Sequence, residues 1–113
     1  MLIFAIILFI LTAVFGLQLF LAVFRNEKTP KKFVVFHGSF AFIALLVFVA
    51  YIASGHYDKL LIISFALFIL AAIGGFTMFT FDMNKKPIPK LIAMIHPVFA
   101  LTALVILIIY VIK

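Results

Sequence analysis

Apolar residues along this chain fall into four long runs separated by three short polar connections. The runs cover residues 1–24, 33–54, 60–81 and 88–112. Each is long enough, at about 1.5 Å per residue, to cross a hydrocarbon core of about 30 Å. Because backbone groups in lipid must be paired within the chain, each run is predicted to be a helix, despite its many β-branched residues. Short connections make neighbouring helices antiparallel. The pattern therefore predicts a single all-α domain, residues 1–113, built as an integral membrane four-helix up-down bundle.

Composition supports a membrane protein. Of the 113 residues, 69% are hydrophobic and 11% are charged, whereas a soluble domain has about 25% charged residues. The outer surface is therefore predicted to face the lipid bilayer. The chain has no cysteine, which excludes disulfides and thiolate chemistry. The apolar stretch from Met1 to Phe24 has no basic start and no small-x-small cleavage site, so it is predicted to be a retained helix.

The basic residues predict an orientation. Seven of the nine lie in the segments 25–32 and 82–90, as Arg25, Lys28, Lys31, Lys32, Lys85, Lys86 and Lys90. The middle connection has only Lys59, which Asp58 balances. By the positive-inside rule, the segments 25–32 and 82–90 are cytoplasmic and both termini lie outside, in a membrane such as the bacterial inner membrane. Topology accounts for the net charge of +6, so no nucleic-acid partner is predicted.

The sequence also matches itself, without a gap, at an offset of 59 residues. Rare residues coincide in this frame as Gly16 with Gly75, Pro30 with Pro89, His37 with His96, and Tyr51 with Tyr110. An excess of Leu, Ile and Phe does not explain these coincidences. Two tandem helical hairpins, residues 1–54 and 60–113, are therefore predicted, related by a pseudo-twofold axis along the membrane normal. Lipid-facing positions accept any apolar residue, so the matched stripes are predicted to face the bundle interior.

His37 and His96 are the strongest candidates for function. An ionisable side chain within a membrane segment is costly and is a functional hypothesis by default. Helices two and four of an up-down bundle are diagonal neighbours, so the two imidazoles are predicted to face each other at one depth. Such a pair suits axial ligation of one haem iron. The sequence therefore predicts His37 and His96 as metal ligands.

Residues near His37 and His96 in the predicted bundle indicate how a haem macrocycle would be held. Gly16 and Gly75, on helices one and three, are expected to leave room for the macrocycle slightly deeper in the membrane than the histidines. Lys31 and Lys90 are expected to neutralise the propionates at the cytoplasmic border. The aromatic side chains predicted to pack on the macrocycle are Phe20, Phe79, Phe40 and Phe99.

With its paired intramembrane histidines and helical glycines, the chain resembles the transmembrane four-helix b-type cytochromes. The resemblance covers the whole chain in architecture and rests on a short motif. It implies a bound haem b and electron transfer, with a quinone as one partner. Many such cytochromes hold two haems with four histidines, whereas only His37 and His96 lie within the apolar runs here. The resemblance thus implies one haem per subunit.

Other readings stay open. The chain is also consistent with a non-enzymatic accessory subunit that packs against other membrane subunits, or with a small transporter or proton relay that uses the histidine pair. A histidine can also simply bond across helices to stabilise packing. No carboxylate lies within an apolar run to couple a substrate to protons, which weakens the transport reading. No nucleophile–base constellation or phosphate loop is present. Whether the protein is an enzyme, and whether it forms homo-oligomers, is left open by the sequence.

Overall fold

The computed structural model covers residues 1–113 and consists of four helices joined by short connections. Their bounds are α1 Leu2–Phe24, α2 Lys31–Ala53, α3 Lys59–Met83 and α4 Lys90–Ile112. All four are long and apolar enough to cross a membrane. The predicted all-α, four-helix fold is confirmed, and every predicted bound lies within two residues of the observed one.

Local chemistry explains where the helices begin and end. α2 and α4 start directly after Pro30 and Pro89, whose fixed φ and missing N–H suit the start of a helix. α3 is capped by Asp58, the residue before its first turn, whose carboxylate accepts a hydrogen bond of 2.8 Å from the Leu60 amide. Just beyond α1 and α3, Asn26 and Lys85 both adopt a φ of 56°, the left-handed conformation that commonly closes a helix.

The helices pack as two hairpins in an up-down bundle. α1 lies along α2 and α3 along α4, α1 also contacts α4, and α2 and α3 meet at few points. The diagonal pairs, α1 with α3 and α2 with α4, have no close backbone contact. The connections 25–30 and 84–89 lie together at what we call the basic end. Both chain termini and the connection 54–58 lie at the opposite, terminal end.

The tightest packing lies in the terminal half of the bundle. Phe9 and Phe68 stack across the α1–α3 diagonal with ring centroids 3.9 Å apart and planes 7° apart. Phe48 meets both rings edge-on. The buried Ser64 hydroxyl donates a hydrogen bond of 2.7 Å to the Ala103 carbonyl and so links α3 to α4. Many large apolar side chains lie on the outside of the bundle, as expected where lipid replaces water.

Candidate functional site

The site is a pair of imidazoles on the diagonal helices. His37 on α2 and His96 on α4 have ring centroids 6.0 Å apart, with planes inclined by 71°. Each lies six residues inside its helix, counted from Lys31 and Lys90, which places both about 9 Å from the basic end. The predicted meeting of the two side chains is thus present in the structure.

Each ring is anchored to a backbone carbonyl of its own hairpin. His37 Nδ1 lies 2.8 Å from the Thr12 carbonyl oxygen, and His96 Nδ1 lies 2.7 Å from the Ala71 carbonyl oxygen. A carbonyl can only accept, so each Nδ1 carries the proton and donates it. In a neutral imidazole Nε2 then keeps its lone pair. Both rings therefore have the tautomer that metal-binding histidines commonly use.

The glycines explain why those carbonyls can be reached. Gly16 follows Thr12 by four residues, and Gly75 follows Ala71 by four, so each glycine lies one turn along from the accepting carbonyl. A Cβ built on Gly16 would lie 2.9 Å from His37 Cε1, and one built on Gly75 would lie 3.3 Å from His96 Cε1. The missing side chains thus make space for the imidazole rings. Each glycine lies against the imidazole ring of the neighbouring helix. The prediction that the glycines also leave room for a macrocycle slightly deeper than the histidines stays a prediction.

The carbonyl acceptors are the functional groups that sequence reasoning missed. Backbone acceptors have no residue signature, since every residue carries a carbonyl. A signal was nevertheless present, because each accepting residue precedes a helical glycine by four positions and its histidine by 25. Where two helices are known to be adjacent, a glycine on one helix opposite a histidine on the other therefore points to an acceptor: the backbone carbonyl four residues before the glycine.

The four phenylalanines predicted to pack on a macrocycle differ in how deeply they are buried and in which side chains they contact. Phe40 is half-buried and stacks on Phe15 of α1, with centroids 5.7 Å apart, and Phe99 is half-buried on α4. Phe20 packs on Phe24 of its own helix at 4.6 Å, whereas Phe79 is 44% exposed. The contribution of these four aromatic residues to a cofactor site stays a prediction.

Charged residues surround the basic end without pairing there. Lys31 and Lys90 are exposed first residues of α2 and α4, and their contact with propionates also stays a prediction. Asp82 accepts a hydrogen bond of 3.0 Å from the Thr29 hydroxyl of the other hairpin. Beside this contact lies a cavity of about 340 Å³ with a mostly polar lining. The only ion pair in the protein, Lys113 with Asp58 at 3.5 Å, lies at the terminal end.

The remaining histidine is far from the pair. His56 lies exposed in the connection between α2 and α3 at the terminal end. Its ring stacks on Tyr51 with centroids 3.9 Å apart, and Nδ1 lies 3.0 Å from the Tyr51 carbonyl oxygen. His56 thus provides a natural control for the two membrane histidines.

The donor set decides which metal group the pair could hold. No group of three or more His, Cys, Asp or Glu side chains is placed to bind a metal ion, and a bare ion generally takes four or more ligands. A haem would bring nitrogen ligands of its own and would need only one or two further ligands from the protein. His37 and His96 would hold such a group, since their rings lie 6.0 Å apart and each is anchored through Nδ1, which leaves Nε2 available as the ligand atom.

The fold and site together define a class: a four-helix protein of membrane-spanning build with a histidine pair between diagonal helices. No known family model matches the sequence, and no curated protein or solved structure is detectably similar to it.

Proposed function

We propose that this protein is a membrane b-type cytochrome in which His37 and His96 ligate one haem iron. The observation that carries the proposal is the pair of anchored imidazoles, 6.0 Å apart, each with Nδ1 bound to a carbonyl and Nε2 left free. A bound haem would supply one-electron chemistry between ferric and ferrous iron. The protein's own task is to position the ligands and to set their electronic environment.

The chain's residues perform that task in a defined way. The bonds from Nδ1 to the carbonyls of Thr12 and Ala71 fix the tautomer and the ring orientation, and they raise the basicity of Nε2. Gly16 and Gly75 hold each ring against the backbone of the neighbouring helix. Apolar surroundings and nearby cations at Lys31 and Lys90 both favour the reduced, less positively charged iron.

We also propose that a pseudo-twofold axis relates the two hairpins, which would make His37 and His96 equivalent ligands. Several features support it at the 59-residue offset. α2 and α4 share both bounds, Asn26 and Lys85 share their φ, and the acceptors Thr12 and Ala71 correspond. In addition, Phe9 stacks on Phe68, its own counterpart.

Electron transfer is the proposed activity, with a quinone as a suitable lipid-soluble partner. The Ser54 hydroxyl lies 3.1 Å from His56 Nδ1 in the exposed connection at the terminal end, but it donates its hydrogen bond to the Tyr51 carbonyl. The half-buried Asp82 accepts a hydrogen bond from Thr29. A histidine pair that only stabilises packing is the competing explanation, and it would place the protein among accessory subunits of a membrane complex. Spectroscopy separates the two.

The spectrum of the purified protein is the decisive test. The protein should be purified in mild detergent from haem-replete cells and reduced with dithionite. We expect sharp visible bands of a low-spin, six-coordinate haem, with one haem per chain, because two imidazoles fill both axial positions. A colourless protein under these conditions would contradict the cytochrome proposal and support the accessory-subunit alternative.

A second test concerns orientation in the bacterial inner membrane. We propose that the basic end is cytoplasmic, because it holds seven of the nine basic residues and positive connections stay inside. A reporter active only outside the cytoplasm, fused after Lys113, should therefore be active, and the same reporter inserted between Lys28 and Thr29 should be silent. The reverse pattern would overturn the proposed orientation without touching the haem proposal.

A further inference from the structure

Gln18 on α1 is a polar side chain on the outer surface of the bundle, where a monomer in a membrane would expose it to lipid. It is the only glutamine in the chain, and its side chain is exposed on the outer surface of the bundle. No hydrogen bond within the chain reaches its amide, although most polar side chains of the helices have one.

The depth of Gln18 keeps the amide away from water. It lies six residues before the end of α1 at Phe24, which places its Cα about 9 Å from the basic end. Side chains lean toward the N-terminus of their helix, and for α1 that direction leads away from the basic end and further into the membrane. An amide in hydrocarbon without a partner is costly.

An amide cannot be satisfied by its own helix as a hydroxyl can. Thr77, which corresponds to Gln18 in the second hairpin, donates a hydrogen bond of 2.9 Å to the Ile73 carbonyl four residues earlier. The glutamine Oε1 needs an N–H or O–H donor, no side chain of the protein supplies one, and the backbone N–H groups in the middle of a helix are already paired. The donor for Gln18 must therefore come from outside the chain.

The surface around Gln18 is suited to packing against another helix. Leu11, Val14 and Leu17 lie seven, four and one positions before it and form an apolar ridge with exposed fractions of 39%, 53% and 54%. Helix association in membranes depends on packing of this kind together with interhelical hydrogen bonds from side chains such as glutamine.

We propose that Gln18 pairs with Gln18 of a second copy of this chain, in a dimer formed along α1. A primary amide carries both a donor and an acceptor, so two of them related by a twofold axis satisfy each other. Copies inserted with the same orientation hold Gln18 at the same depth, and the ridge of Leu11, Val14 and Leu17 then meets its own copy. This proposal is independent of the haem.

Cysteine cross-linking in membranes tests the dimer, since the chain has no native cysteine. Val14→Cys places one thiol on the ridge, one turn from Gln18. Oxidation should give a disulfide-linked dimer. The control is Val98→Cys on α4, which is 62% exposed and outside the proposed contact, and it should stay monomeric. Equal cross-linking of the two variants, or none from Val14→Cys, would overturn the proposal.

The role of the amide is tested in the same background. Adding Gln18→Leu to Val14→Cys should reduce the cross-linked fraction about fivefold or more, the effect of losing an interhelical hydrogen bond in lipid. The matched control is Thr77→Leu, which should leave cross-linking unchanged. Gln18 is lipid-exposed, so its replacement by leucine should preserve the fold, as a thermal unfolding curve will show. Cross-linking that is unaffected by Gln18→Leu contradicts the proposal.

Discussion

Replacing either membrane histidine with alanine is expected to abolish the six-coordinate haem spectrum. His37→Ala or His96→Ala would remove one of the two proposed haem ligands, and the third histidine, His56, lies at the terminal end of the bundle, away from the pair. Loss of an outer-shell partner alone commonly weakens metal binding 10–100-fold, so loss of a ligand should weaken haem retention by at least about tenfold. The measurement is the reduced-minus-oxidised spectrum, with the haem-to-protein ratio of each purified variant.

The matched control is His56→Ala, which removes the exposed histidine at the terminal end. It should leave both the spectrum and the haem-to-protein ratio unchanged. If the pair only stabilised packing, each membrane variant would lose roughly 0.6–1.7 kcal/mol of stability, the cost of an interhelical hydrogen bond. A His37→Ala or His96→Ala protein that keeps the wild-type spectrum would show that iron is bound elsewhere.

Gly16→Ala should be the most damaging change that leaves both histidines in place. Its Cβ would lie 2.9 Å from His37 Cε1 and 3.1 Å from Nδ1, which is closer than van der Waals contact allows. The ring must move, and the 2.8 Å bond to the Thr12 carbonyl is lost or stretched. We expect haem affinity to fall about 10–100-fold, as it does when an outer-shell partner of a ligand is removed. Haem titration of the apoprotein measures this change.

Alanine substitutions at two other glycines serve as comparisons for the expected effect of Gly16→Ala on haem affinity. Gly75→Ala brings its Cβ to 3.3 Å from His96 Cε1, so the ring needs to shift less and the loss should be smaller. Gly38→Ala, beside His37 on α2, meets no atom within 4 Å and should leave haem affinity unchanged. The expected order of damage is therefore Gly16, then Gly75, then Gly38. Equal effects of Gly16→Ala and Gly38→Ala would contradict the role assigned to ring contact.

If haem affinity depends on the contact between each glycine and its imidazole ring, the site differs from a pair of polar residues that only stabilises packing. A histidine that merely bonds across helices can shift with its partner, whereas a ligand must keep Nε2 at a fixed place. The glycine series therefore reports how tightly the backbone of α1 and α3 positions each ring. The histidine series reports whether the rings hold a metal.

The sequence by itself determined the helices and the candidate site residues. Run length against the thickness of a bilayer decides where each helix lies, and α2 and α4 begin directly after Pro30 and Pro89. These are local properties. The cost of an ionisable group in lipid likewise singled out His37 and His96 without any structure.

Only the tertiary structure decided which faces of the helices meet. Inside lipid, interior and exterior positions are both apolar, so the sequence carries little contrast to set the rotation of each helix about its axis. Phe79 was placed in the interior by the repeat, yet it is 44% exposed. The acceptor carbonyls of Thr12 and Ala71 are backbone groups, and their spacing to a glycine and a histidine gains meaning only once the helices are known to be adjacent. The 6.0 Å between the imidazoles depends on helix rotation and spacing together, which arise from the packing of side chains across the whole bundle.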